Sequence, residues 1–180
     1  MPQPFRFYLK VAQAIPQKRK MDDLAEKAEE LGVHELWAVE TERSVVKMKK
    51  EARGRVRDRW ERIVTASAKQ SKSPVLTQVE GPCSFEEIFE TAWDKPDEGF
   101  LFHPDPGGLP FSEWVQGLNP DKVSNAVPSF FLFFGPEGGF TQKEIHLAES
   151  HGVKKIYLGP STLRVETAFT GVIAALRFLL

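Results

Sequence analysis

Residues 130–134 read Phe-Phe-Leu-Phe-Phe, and Gly135-Pro136-Glu137-Gly138-Gly139 follows at once. Successive side chains of a strand point to opposite faces, so five apolar residues without alternation need cover on both sides. Such a strand belongs inside a parallel sheet with helices on each face. The next residues complete the unit. Thr141-Gln142-Lys143-Glu144 has the capping-box pattern and opens a helix predicted to run to Gly152.

The rest of the chain repeats this order. A strand is predicted over 6–11. A helix over 20–31 carries Met21, Leu24, Ala25, Ala28 and Leu31 at helical spacing, with Gly32 as its stop. A strand over 36–39 and a long basic helix over 51–70 follow, the helix with Val56, Trp60, Ile63, Val64 and Ser67 on its inner side. Ser73-Pro74 ends that helix, and 75–79 reads as a strand. Ser84 caps a further helix, 99–102 is a weak strand, 155–158 another strand, and 165–180 an apolar helix. Lys95 to Pro128 reads mostly as loop, since it holds Pro96, Pro104, Pro106, Pro110, Pro120 and Gly107-Gly108. The fold class is therefore α/β. One domain over 1–180 is expected, with residues 1–10 as its first strand region and no internal repeat.

Composition narrows the classes. Apolar residues are 41% and charged residues 27% of 180, which excludes a disordered or fibrous chain. No apolar run is long enough for a membrane span, and the first residues lack the order of a signal peptide. Cys83 is the single cysteine, and no Cys/His cluster suits a metal. A reducing cytoplasm and a metal-free site are expected. His34, His103, His146 and His151 have no ligand spacing.

Charge is unevenly spread. Arg43 to Arg62 holds nine basic and three acidic residues, a net +6, which leaves −7 elsewhere in a chain of net charge −1. This suits either a polyanion-facing surface or a solvated helix face with i,i+4 pairs such as Asp58 with Arg62.

Two strand ends look chemical. The first is the Gly135–Gly139 loop, where glycines let backbone N–H groups approach a ligand. It is neither G-x-G-x-x-G nor a Walker loop. Pro136 removes a donor and Glu137 adds negative charge, so a ligand with a positive centre or hydroxyls fits better than a phosphate. The second is Leu158-Gly159-Pro160-Ser161-Thr162-Leu163-Arg164-Val165-Glu166-Thr167-Ala168. Arg164 opposes the dipole of the helix it opens, so it needs a carboxylate or a phosphate. An ion pair with Glu166 or Glu137 would meet that need, as would a ligand. A tight turn alone would equally account for Gly138-Gly139.

Together these segments resemble the ribosomal small-subunit RNA uridine-N3 methyltransferase family, of the SPOUT class of knotted S-adenosylmethionine-dependent enzymes. Glu30-Leu31-Gly32-Val33, Thr41-Glu42-Arg43-Ser44-Val45-Val46-Lys47, Arg59-Trp60 and Gln70-Ser71 agree, and the likeness runs from about Leu9 to the C-terminus. The chain departs from the family in starting almost at the catalytic domain, without a PUA-like RNA-binding domain. It also departs at Lys69, where the family has an acidic residue, and at Ser73, where it has an arginine.

The resemblance implies a C-terminal trefoil knot, S-adenosylmethionine as cofactor, ribosomal RNA or the small ribosomal subunit as partner, and a homodimer through the last helix. It implies a cofactor site at Leu101, His103, Gly135, Pro136, Glu137, Gly138, Gly139, Leu158, Gly159, Leu163, Thr167 and Ala168. Gly138 is expected to be glycine for its backbone angle or for cofactor space. Arg164 is the candidate for stabilising a uridine anion, with Glu166 or Glu137 accepting the proton or holding Arg164. Arg43, Lys47, Arg53 and Arg57 are the candidate RNA contacts. Two alternatives stand beside this one: a methyltransferase of the same fold with another substrate, and a non-catalytic RNA-binding relic.

Overall fold

The computed structural model describes residues 7–17, 19–93, 98–118 and 128–179. Seven strands form one parallel sheet in the order β3-β2-β1-β6-β4-β7-β5. The strands are β1 (Tyr8–Ala14), β2 (Glu35–Glu40), β3 (Gln78–Ser84), β4 (Glu98–Phe102), β5 (Leu109–Pro110), β6 (Ser129–Phe134) and β7 (Lys154–Tyr157). The helices are α1 (Lys20–Glu30), α2 (Lys50–Ser71), α3 (Phe85–Thr91), α4 (Phe111–Gly117), α5 (Gln142–Ser150) and α6 (Val165–Leu179).

β6 lies between β1 and β4, and its apolar run serves both faces. Phe130, Leu132 and Phe134 join the core under α1, α2, α4 and α6. Phe131 and Phe133 join the core under α3 and α5, beside Phe85, Phe140 and Ile145. All five are at most 4% exposed, so the absence of alternation has its expected cause. Both predicted capping boxes form. The Thr141 hydroxyl accepts from the Glu144 N–H while Glu144 accepts from the Thr141 N–H, and Ser84 and Glu87 repeat the arrangement.

Three expectations are corrected. The strand expected over 75–79 lies at Gln78–Ser84, where Gly81-Pro82 sits inside a strand that pairs with β2 across an irregular register. The first strand begins at Tyr8 and runs to Ala14, and residues 1–6 lie outside the described residues. The span expected to be mostly loop holds β5 and α4. Trp114 anchors α4 at 4% exposure, with its ring 4.6 Å from Phe100. Proline masked both elements. Pro110 is tolerated because β5 is a two-residue edge strand, and it then stands directly before the first residue of α4. Pro96 and Pro120 lie outside the described residues.

No described helix is long and apolar enough to cross a membrane, and among the described residues no His, Cys, Asp or Glu group is placed to hold a metal ion. Burial raises the Cys83 thiol to about 12, so it is protonated at neutral pH and is no nucleophile there.

Candidate cofactor-binding site

A cavity of about 680 Å³ opens at the carboxyl edge of the sheet, within the usual range for small-molecule sites. Three loops build it, those that follow β4, β6 and β7, and segments beyond β1 and β2 close its sides. This is the edge where parallel α/β sheets bind ligands. Of the predicted cofactor residues, His103, Gly135, Pro136, Glu137, Gly138 and Gly139 line it from two loops. Leu158, Gly159, Leu163 and Ala168 line it from the third loop and α6, together with Arg164.

Two predicted cofactor residues do not line it. Leu101 is 1% exposed and packs on the opposite face, under α3 and α5. Alternation along β4 sends its neighbour Phe102 to the cavity instead. Thr167 is exposed outside the lining, about 100° around α6 from Ala168. Sequence reasoning missed Phe102 and Phe134; their rings stack 4.7 Å apart and both line the cavity.

The glycines divide by role. Gly139, with φ +68°, and Gly159, with φ +121°, hold left-handed backbone, and a Cβ at either would stand in open space. Gly139 closes a turn by donating its N–H to the Pro136 carbonyl at 2.8 Å. Gly138 does not have a positive φ. A Cβ there would meet Arg43 Cβ at 3.3 Å, so its small size serves the packing of Arg43.

Arg43 also has a structural task at the cavity wall. Its Nη1 donates to the carbonyls of Gly138 at 2.9 Å and Phe140 at 3.4 Å, so it ties the segment after β2 to the Gly loop. Glu144 reinforces the tie by accepting from the Glu42 N–H at 2.7 Å. Lys47 donates to the Thr41 carbonyl. Both side chains are exposed, and each is bonded only to backbone carbonyls. Arg53 pairs with Glu40 at 3.2 Å, and Arg57 pairs with Glu61 and Glu80, each at 2.9 Å. Arg59 pairs with Asp22. Among the described residues, the exposed cations of the segment with neither an ion pair nor a hydrogen bond are Lys49, Lys50 and Arg55, while Arg62 donates only to the Asp58 carbonyl.

The carboxylates hold a different partner from the one expected. Lys20, the first residue of α1, bridges Glu137 at 3.1 Å and Glu166 at 3.1 Å. Glu137 also accepts from the Gln17 N–H at 3.3 Å. The bonds to Glu137 and then Glu166 raise the Lys20 ammonium above its ordinary value. Glu166 is lowered by its own backbone N–H first, and then by the Lys20 bond. Arg164 is exposed and makes no ion pair among the described residues, so neither expected pairing with Glu137 or Glu166 forms.

His103 lies lower than an ordinary histidine, through burial first and the Lys155 charge second. Its Nδ1 accepts from the Asp105 N–H at 3.1 Å, so the neutral ring carries its hydrogen on Nε2. Asp105 is held low by Lys155, which donates to it at 2.6 Å, and by the Gly107 N–H.

The family model for an RNA methyltransferase domain matches residues 3–177. The chain belongs to this family. It is 30% identical over 179 residues to ribosomal RNA small subunit methyltransferase E of Bacillus subtilis, covering 97% of this chain and 66% of that protein. It is 28% identical over 158 residues to the protein of the same name from Aquifex aeolicus, covering 88% of this chain and 62% of the relative. This RNA methyltransferase domain thus spans less than two thirds of the length of these relatives.

Solved structures agree with the fold. A Legionella pneumophila methyltransferase structure with bound SAM has a TM-score of 0.81 at 26% identity, covering 96% of this chain and 66% of that one. The SpoU methyltransferase AviRb of Streptomyces viridochromogenes, solved with AdoMet, has a TM-score of 0.55 at 16% identity, covering 98% and 62%. The fold is that of the SPOUT methyltransferases.

Proposed function

We propose that this chain is an S-adenosylmethionine-dependent methyltransferase acting on N3 of a uridine in small-subunit ribosomal RNA. The observation that carries the reading is the cavity at the three-loop junction, with Arg164 on its wall making no ion pair among the described residues. Family membership supports methyl transfer to RNA. Relatives that match most of this chain are named as small-subunit ribosomal RNA methyltransferases.

The cavity suits the cofactor. Phe102, Phe134, Leu158, Leu163, Val165 and Ala168 offer apolar surface for a base and a thioether. Gly139 and Gly159 leave open space where a side chain would stand, and the loops offer backbone groups for hydroxyls. Glu137 supplies negative charge for a cationic donor. When bound, S-adenosylmethionine supplies a methyl group on a sulfonium sulfur, and the S–CH₃ bonding pair returns to sulfur as the acceptor lone pair bonds the carbon.

The chain's own residues do the rest. Arg164 stabilises the charge that develops on the uracil oxygens as N3 loses its proton to solvent, because its own charge is fixed. Glu166 stays ionised, held below its ordinary value, so it orients Lys20 rather than acting as a base poised near neutrality. RNA phosphates meet Lys49, Lys50 and Arg55 at the start of α2. The meeting of the loops after β4, β6 and β7 supports a trefoil knot in the C-terminal part, and a homodimer through α6 completes the reading. A cytoplasmic location belongs to the same reading, since small-subunit ribosomal RNA is its substrate.

Mass-spectrometric mapping of 16S rRNA from unmethylated subunits, incubated with this protein and S-adenosylmethionine, tests the reading. N3-methyluridine at one site is expected. A methyl mark on another atom or nucleotide would overturn the substrate while keeping the chemistry.

A further inference from the structure

The Lys20 bridge spans the molecule. Its partners are 117 and 146 residues away in sequence, on the Gly loop after β6 and on the first turn of α6. Lys20 itself lines the cavity, as does Glu137. All three side chains are partly covered, at 28% exposure for Lys20, 33% for Glu137 and 29% for Glu166. The bridge therefore fixes two walls of the site and also its charge. Without Lys20, Glu137 in the lining and Glu166 behind it would bring two negative charges to this side of the site, and one ammonium halves that; Arg164, also in the lining, adds the same fixed positive charge in either case. Arg43 is spent on carbonyls of the same loop, and His103 is neutral.

From this geometry we propose that Lys20 determines how the site discriminates the two charge states of the methyl carrier. The proposal rests on the methyltransferase reading above. The methyl donor carries a sulfonium charge, and the product left after transfer is a neutral thioether. A fixed ammonium beside Glu137 and Glu166 offsets their preference for the cation. The charged donor is then held less tightly, relative to the neutral product, than two bare carboxylates would hold it. The transition state, in which sulfur has already lost part of its charge, is disfavoured less than the ground state. An interaction that weakens ground-state binding more than transition-state binding raises turnover. Lys20 is a positioning and specificity residue, since it acts through the two carboxylates and the charge of the wall.

Calorimetric titration of the whole chain with S-adenosylmethionine and, separately, with S-adenosylhomocysteine tests this. In Lys20→Met the ratio of product Kd to donor Kd should rise roughly threefold to thirtyfold, the range for one unit charge several ångströms away in a partly screened site. Turnover should fall while donor affinity rises, and Lys20→Arg should restore the ratio. Glu137→Gln, made with Lys20 intact, should move the ratio in the opposite direction, which keeps the test available if Lys20→Met does not fold. Equal losses for both ligands in Lys20→Met, or an unmoved ratio in Glu137→Gln, would show Lys20 to be a structural tie only. If the wild-type chain binds both ligands, that failure leaves the methyltransferase reading standing. If it binds neither, both fall together.

Discussion

Arg164 and Gly159 mark what single residues contribute. Arg164 lines the cavity, is exposed, and has no ion-pair partner among the described residues, so its removal leaves no carboxylate stranded. Arg164→Ala should therefore keep its fold and nearly its full cofactor affinity while losing roughly 10²–10³ in turnover, the usual loss for one charge-stabilising donor. Calorimetry with a single-turnover methylation assay separates the two, and loss of cofactor binding would make Arg164 a ligand-holding residue instead. Gly159→Val should weaken cofactor binding strongly, because φ of +121° is closed to a β-branched residue and the loop must move to relieve it. Gly138→Val should act differently, by displacing Arg43 from the Gly138 and Phe140 carbonyls. An equal effect of the two on binding, with Arg43 undisturbed, would remove this distinction. The turn glycines Gly139 and Gly159 and the place of Arg164 at a helix start were legible because they are local, whereas Gly138, expected to be glycine for its backbone angle or for cofactor space, is instead confined by Arg43. Lys20 was not legible. It reads as an ordinary first residue of α1, and its meaning comes from partners more than a hundred residues away.

At the scale of elements, α2 shows how far composition reaches. The net +6 of Arg43 to Arg62 was visible, but which cations are free was not. Composition cannot tell a guanidinium facing water from one folded back on Glu40, Glu80 or a carbonyl. The structure spends Arg53, Arg57 and Arg59 on carboxylates and leaves Lys49, Lys50 and Arg55 in solvent. Neutralising Lys49, Lys50 and Arg55 together should weaken RNA binding and lower the salt slope by about one unit for each phosphate that is no longer neutralised. Neutralising Arg53 and Arg57 should change that slope less and cost stability, by freeing Glu40 and Glu80. Filter binding across a salt series with a thermal melt for each variant decides it, and the reverse order would return the RNA phosphates to Arg53 and Arg57. The other elements follow the same lesson. Helices α1, α2, α5 and α6 and strand β6 were legible from spacing and caps. β3 was placed too early and α4 was hidden because proline is a local stop signal, whereas pairing with β2 and the seating of Trp114 are tertiary facts.

For the whole molecule, the α/β class was legible because one strand without alternation already demands two covered faces. The strand order was not, since nothing local places β6 between β1 and β4. What the single chain leaves uncovered points to assembly. α6 seats Val165, Phe169, Val172, Ile173 and Leu176 on the sheet, and these are the buried residues of the helix. Its outer side carries Gly171 and the half-buried Ala174 and Ala175, and it ends in Phe178 at 80% and Leu179 at 57% exposure. Leu180, expected to share in this surface, lies outside the described residues. The small residues permit close approach of a second helix, and a buried Phe contributes about 150–250 Å² toward the roughly 800 Å² per partner of a standard interface. Sedimentation velocity at micromolar concentration should give twice the monomer mass. Phe178→Asp should give the monomer mass with an unchanged circular dichroism spectrum, because the residue is 80% exposed and outside the buried core. A wild-type monomer at that concentration would show that the outer side of α6 faces solvent and that each cavity is complete within one chain.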